Sequence, residues 1–344
     1  MRYAQKRTLV ILVVLVALLA AALLAVKAYN RRSAQKKADD AATSAAGAVT
    51  SQSTGYKALT YNNGSATLSF AKGEDGTWAW SDDKDFPLDN DQITAILETI
   101  SGLMPQQTIT QGDTLEAYGL DSPAMTLTAT ADDGTETTFA LGNATSDGQS
   151  YYLLLNGQSS PVYIIDGALH TELAKGIYDM MRLPALPQPA EKDISAITVS
   201  GAAQTDLTAS LETDAGASAS ASASASAAPA VTVDWRSQGA NVTDNQDVTA
   251  LVSEVRALSL AACQDYKPSD KAAALCGFDK PACVLRMDYT DADGKAQTLE
   301  LTVANTTAAG DGRYVRIKDD STIYSIAAEK LTTLLSVAEK GLSA

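Results

Sequence analysis

The chain has 344 residues, room for about two domains of ordinary size, and 45% of them are hydrophobic, which excludes wholesale disorder. The first 37 residues hold eight basic residues and no acid, so the rest carries 18 Lys and Arg against 41 Asp and Glu, a net −23. Phosphate backbones repel so acidic a body, which excludes a nucleic-acid partner, and a single histidine removes most zinc enzymes, Ser-His-Asp hydrolases and haem proteins.

Residues 1–8, with Arg2, Lys6 and Arg7, read as a cytoplasmic N-terminus. Leu9 to Val26 is an unbroken apolar run of 18 residues, the lower edge of what spans a bilayer as a helix. Signal peptides carry a shorter apolar core, roughly 7 to 15 residues. Val26-Lys27-Ala28 has cleavage-like spacing, but Lys27 makes it a poor site. The expectation is an uncleaved signal-anchor, a transmembrane helix over 9–26 with the lipid bilayer as its partner. Lys27, Arg31, Arg32, Lys36 and Lys37 follow the run, and the positive-inside rule would keep the body in the cytoplasm. The anchor's place at the extreme N-terminus and the large acidic body argue the other way. The expected location is the cell membrane, single-pass, with an extracytoplasmic body. Residues 27–55, rich in Ala, Ser, Thr and Gln, read as a flexible tether.

The rest of the chain repeats itself. Before each of two helices sits a Trp-bearing strand, Thr77–Trp80 and Val233–Trp235. Ile93, Ile96, Leu97, Ile100 and Leu103 mark one helical face, and Val248, Leu251, Val252, Val255 and Leu258 repeat its spacing. Acidic caps precede both, Asp89-Asn90 and Asp244-Asn245, and Asp89 with Gln92 is a capping-box arrangement. Next, Tyr118-Gly-Leu-Asp-Ser-Pro-Ala-Met125 matches Cys276-Gly-Phe-Asp-Lys-Pro-Ala-Cys283. A strand, an Asp/Gly turn and a strand follow each: Thr126–Thr130, Asp132–Gly134 and Thr138–Leu141 in one copy, Val284–Tyr289, Asp291–Gly294 and Thr298–Leu301 in the other. A further hairpin and a closing helix, Gly167–Met181 or Ala327–Ala338, complete each copy. The spacing therefore predicts an α+β fold class: an N-terminal transmembrane helix, then two tandem copies of an antiparallel-sheet-plus-helices unit over 56–183 and 193–340. Pro184, Pro187 and Pro189 make 184–192 a semi-rigid linker. The Ala/Ser tract 216–228 reads as a disordered loop between two strands of the second copy.

In the repeated motif Gly119, Asp121 and Pro123 return as Gly277, Asp279 and Pro281. Gly supplies a backbone angle that strains other residues. Asp can bond its own backbone two residues on, and Pro starts a strand without needing a donor. All have structural work to do, so they are expected to shape a turn and not to catalyse. At this motif, with its upstream Trp strand, acidic cap and amphipathic helix, the chain resembles the bacterial family called domain of unknown function 4340. The resemblance covers most of 56–182 and, more weakly, 193–338; the second copy departs from it with Cys276 in place of Tyr118 and with the Ala/Ser insertion. It implies a membrane-held extracytoplasmic body, often encoded beside components of ABC-type export systems, and it carries over no catalytic residue.

Chemistry is sparse. His170 has no counterpart in the second copy and no evident nucleophile. Cys263, Cys276 and Cys283 lack zinc spacing and read as buried small hydrophobes before a disulfide. Acidic turns such as Asp82–Asp85 do not fit a calcium-loop spacing. Asn-x-Ser/Thr triplets stand at Asn63, Asn143, Asn241 and Asn305. No cofactor or metal is expected. The leading expectation is a non-enzymatic scaffold or binding protein partnered with a membrane transporter or envelope protein. An alternative is an envelope-polymer (carbohydrate) binder stacking sugars on Trp78, Trp80 and Trp235. A carboxylate-dependent hydrolase is third.

Overall fold

The computed structural model describes residues 43–44, 47–50, 55–213 and 231–343. The chain divides between Met181 and Arg182 into two units.

In the first unit the strands are β1 (Thr43–Ser44), β2 (Tyr56–Asn62), β3 (Thr67–Lys72) and β4 (Trp78–Trp80), then β5 (Gln107–Ile109), β6 (Met125–Ala131), β7 (Glu136–Ala144), β8 (Ser150–Leu155) and β9 (Val162–Asp166). Helix α1 (Asn90–Ile100) lies between β4 and β5, α2 (Leu115–Tyr118) between β5 and β6, and α3 (Ala168–Leu173) after β9. The strands form one sheet in the order β1-β5-β9-β8-β7-β6-β2-β3-β4, every neighbour antiparallel. Alternation sets the faces. Leu59 and Tyr61 are buried on β2, with Phe70 and Leu68 opposite them on β3 and Ala129 and Leu127 opposite on β6. Against this face α1 buries Ile93, Ile96 and Ile100, one stripe at steps of three and four. Helix α3 packs on α1, and Tyr61 Oη donates to the Lys175 carbonyl at 2.9 Å. The other face holds a second cluster of Ile109, Tyr118, Leu120, Tyr152, Leu154, Val162 and Ile164.

The second unit has β10 (Ile194–Ser200), β11 (Gln204–Thr213), β12 (Val231–Ser237), β13 (Ala240–Asn241), β14 (Ala262–Asp265), β15 (Cys283–Thr290), β16 (Ala296–Thr306), β17 (Gly312–Ile317) and β18 (Ile323–Ala327). Its helices are α4 (Gln246–Arg256), α5 (Asp270–Leu275) and α6 (Thr332–Lys340). The sheet order is β13-β12-β11-β10-β15-β16-β17-β18-β14. Turned end for end, it matches the first sheet strand for strand; only β1 and β13 have no counterpart. Bulges recur as well, at Leu141/Ala144 and Val303/Thr306, and at Tyr56/Ala58 and Ile194/Ala196. A bulge redirects a strand, so its recurrence at matched sites marks one design used twice.

Several expectations are corrected. In place of an N-terminal transmembrane helix followed by α+β copies, the described chain is mostly two antiparallel sheets. Its helices are few and short: α1 and α4, the longest, have 11 residues each. No helix of the described residues is long and apolar enough to cross a membrane. The run Leu9–Val26, most of the tether and the 216–228 tract lie outside the described residues. The closing helix of the first unit breaks after Leu173 and resumes as a 3-10 turn, Ile177–Met180. Gly176 is extended there, and its N–H donates to the Asp179 carboxylate at 2.8 Å. The capping box does not form: the Asp89 carboxylate accepts from the Asp91 N–H, while Gln92 Oε1 accepts from Lys175 Nζ.

Thr213 and Val231 pair directly across β11 and β12. A four-residue turn in place of 214–230 shortens the closed loop by about two doublings, worth about 1 kcal/mol. The shortened chain should melt at or above the parent temperature, and a fall of several degrees in calorimetry would contradict this.

Candidate functional site

The repeated motif is a helix stop resting on a strand bulge. Gly119 caps α2 in the left-handed region at φ 70°, its N–H donating to the Glu116 carbonyl, and Gly277 follows α5 at φ 89°. A Cβ on Gly119 would lie 2.6 Å from the Asn143 side chain, and one on Gly277 would lie 2.5 Å from that of Asn305. Both asparagines occupy the extra position of the recurring bulge. Glycine is thus demanded twice over, by angle and by space. Leu120 is buried and Phe278 half-buried below the Arg316 guanidinium, 4.5 Å away. Asp121 and Asp279 are exposed and make no side-chain hydrogen bond among the described residues, so the self-bonded turn expected of them is absent. Pro123 and Pro281 each stand two residues before a strand, β6 and β15.

The partners that sequence reasoning missed are Asn143 and Asn305 with the threonines two residues on. Thr145 and Thr307 each brace the turn after the bulge. Thr145 Oγ1 bonds Asp147 at 2.6 Å and accepts from the Ser150 N–H; Thr307 Oγ1 bonds Asp311 at 2.6 Å and accepts from the Gly312 N–H. The signal was present, since Asn-x-Thr recurs at matched places in both copies. It resembles a glycosylation triplet and hides the structural role.

The tryptophans divide sharply. Counted from the buried pairs Leu59–Phe70 and Ile197–Leu207, Trp78 and Trp235 occupy the same place. They are 7% and 2% exposed, core residues with little face left for a ligand. In both units a side chain at or just ahead of the start of the helix ties down the main chain of that Trp. The Asn90 amide takes the Trp78 N–H at 2.7 Å and gives its own N–H to the Trp78 carbonyl at 3.3 Å. Thr243 Oγ1 takes the Trp235 N–H at 2.8 Å. Trp235 Nε1 donates to Glu191 at 2.9 Å.

Trp80 is different. Its register position corresponds to Ser237, so the shared fold does not require an aromatic there. It is half-buried, edge-on to Phe86 at 5.5 Å, and its Nε1 is buried without a hydrogen-bond partner. An unpaired buried donor costs about 1–3 kcal/mol. Trp80 lines a cleft of about 560 Å³ along the β3–β4 edge, with Lys72 and Lys84 on the rim. A second hollow of about 280 Å³, between α1 and the sheet, shares Lys72 and Trp78 with it. Antiparallel alternation points the Trp80 N–H and C=O away from β3, as it does those of Trp78. At Ser237 the same outward groups meet Ala240 of β13. Among the described residues, β4 is the last strand of the first sheet.

The other candidates stay apart from this cleft. His170 stacks on Tyr151 with ring centres 4.2 Å apart. The cysteines are free: Cys263 and Cys283 are buried and burial pushes their thiols up to about 12 and about 11, while burial also raises half-buried Cys276. Groups of three or more His, Cys, Asp or Glu able to hold a metal ion are absent among the described residues.

The sequence matches the family described as Domain of unknown function (DUF4340) over residues 78–233 and 235–341. The two segments cover most of the chain, and the chain belongs to this family. No characterised protein and no solved structure matches it.

Gly277→Ala should cost about 2 kcal/mol or more in urea unfolding, because left-handed strain is joined by the overlap with Asn305. Gly294→Ala, at φ 78° with open space around it, should cost visibly less; equal costs would contradict the Gly–Asn contact. In native protein at pH 8 a maleimide should label Cys276 well before Cys263 or Cys283, and equal rates would show that the strands open freely.

Proposed function

We propose that the protein is a non-enzymatic binding body whose site is the cleft at the β4 edge of the first unit. Trp80 carries this reading. It is an aromatic residue that the duplicated fold does without in its other copy, it has an unsatisfied indole N–H, and it lines a cleft of about 560 Å³. The Gly–Asn support, the Trp78/Trp235 anchor and the helix stripe recur in both copies, whereas Trp80 does not.

The polar groups of the cleft favour binding over catalysis. Asn90 is committed to the Trp78 main chain, and the Asp75 carboxylate accepts the Thr77 N–H, which holds it below the usual carboxylate range. Lys72 and Lys84 remain as exposed cations. Carbohydrate stacking over three tryptophans has lost two of its platforms to the cores, Trp78 and Trp235. The reading places the body outside the cytoplasmic membrane, on the strength of its net −23 and the family resemblance, where it serves an export or envelope assembly. The run Leu9–Val26 lies outside the described residues and carries no part of it.

A photo-crosslinking residue at Ser81 of the full chain in cells should give a discrete adduct that Trp80→Ser abolishes, with the melting temperature little changed. An adduct that survives Trp80→Ser would overturn the cleft as the site. Protease added to spheroplasts should digest the body; survival until lysis would place it in the cytoplasm.

A further inference from the structure

The two units offer a comparison within one chain. In the second, the edge strand β12 is extended by β13: Arg236 pairs with Asn241 and Ser237 with Ala240, through a tight turn at Gln238 and Gly239, both at positive φ. The strand is two residues long, so a pair of residues is enough to satisfy this edge. In the first unit the chain does not double back. After Trp80 it turns through Ser81 to Asp85, and Phe86 returns to lie against the indole. Among the described residues, no strand fills beside Trp80 the slot that β13 fills beside Ser237, and the cleft runs along that side of β4.

We propose that this slot takes an extended polypeptide segment of a partner, added to the first sheet as a strand antiparallel to β4, an inference that rests on the cleft being the binding site. The incoming main chain bonds the Trp80 N–H and C=O as Ala240 bonds Ser237. Alternate side chains of an added strand face the same way. One set packs on the Trp80–Phe86 pair, so it is apolar; the cleft presents Ala71 and Pro87 beside those rings. Lys72 stands two residues from Phe70, which pairs with Trp80, so its exposed ammonium group shares the Trp80 face and the same set also includes an acid. A sugar polymer would use the same aromatic face but offers no main-chain ladder, which separates the two ligands by experiment.

The probe is a phage-displayed library of random dodecapeptides, selected on the immobilised full chain and then synthesised. The expected binders carry apolar and acidic residues together on one set of alternate positions. They lose at least tenfold in affinity on Trp80→Ser, and on Lys72→Glu with Lys84→Glu, whose exposed side chains leave folding untouched. N-methylation of alternate backbone amides on one edge of the peptide should cost at least another tenfold, and methylation of the opposite edge little. Binders that depend on Trp80 but tolerate methylation of either edge would overturn strand addition and leave the cleft standing. If no selected peptide depends on Trp80, strand addition is overturned, and if N-acetylglucosamine hexamer quenches Trp80 fluorescence in its place, the cleft is a sugar site. If neither peptides nor that oligosaccharide depend on Trp80, the cleft reading falls as well. Circular dichroism of each variant, set against the parent spectrum, keeps loss of fold apart from loss of binding.

Discussion

A sheet of nine strands has two edges, and their main-chain groups must be paired, covered or left for water. Both units solve this at the same spot with a side chain at the start of the first long helix or just before it. Asn90 mimics a neighbouring strand toward Trp78, accepting and donating with one amide. Thr243 does the accepting half for Trp235, with the Val242 N–H closing onto the Trp235 carbonyl at 2.8 Å. This contact fixes where the helix begins. Asp89 caps α1 and Asn245 caps α4 immediately beside it, and the buried stripes Ile93–Ile96–Ile100 and Val248–Val252–Val255 then fall on the sheet. Sheet closure, helix placement and core are therefore one coupled arrangement.

Duplication separates what the fold needs from what one copy has added. The Gly–Asn support under the bulge, the bulge itself, the Trp anchor and the helix stripe occur twice. The outer faces have diverged: matched register places Asp265, Arg316 and Ser325 of the second unit where the first has Ile109, Leu154 and Ile164. There Gln264 donates to Ser325 Oγ at 3.1 Å and Arg316 stacks on Phe278. The edges have diverged too, with β13 on one and Trp80 on the other. A tryptophan is costly to keep half-buried with an unpaired N–H unless it has a use.

Much of the fold was legible because its determinants are local. Alternating Thr/Val/Leu runs and helical stripes depend on near neighbours, and the repeat doubled each signal. Short strands of two to four residues, β5, β13 and β14, were not, since they carry little alternation of their own. The broken closing helix turned on Gly176, which a periodic reading of Leu169, Leu173 and Met180 passes over. Of the site, the sequence offered the three tryptophans without ranking them. Only the register across β3–β4 and β11–β12 shows that Trp78 and Trp235 are equivalent and that Trp80 is the one without a match.

The central claim is that one sheet edge is shut and its counterpart open, and amide hydrogen exchange of the free full chain tests it directly. The account predicts strong protection of the Trp78 and Ser237 amides, held by Asn90 and by β13, and exchange of the Trp80 amide near the rate of an unstructured residue. A Trp80 amide protected as well as that of Ser237 would mean that the edge is already satisfied within the chain, and the binding site would have to be sought elsewhere.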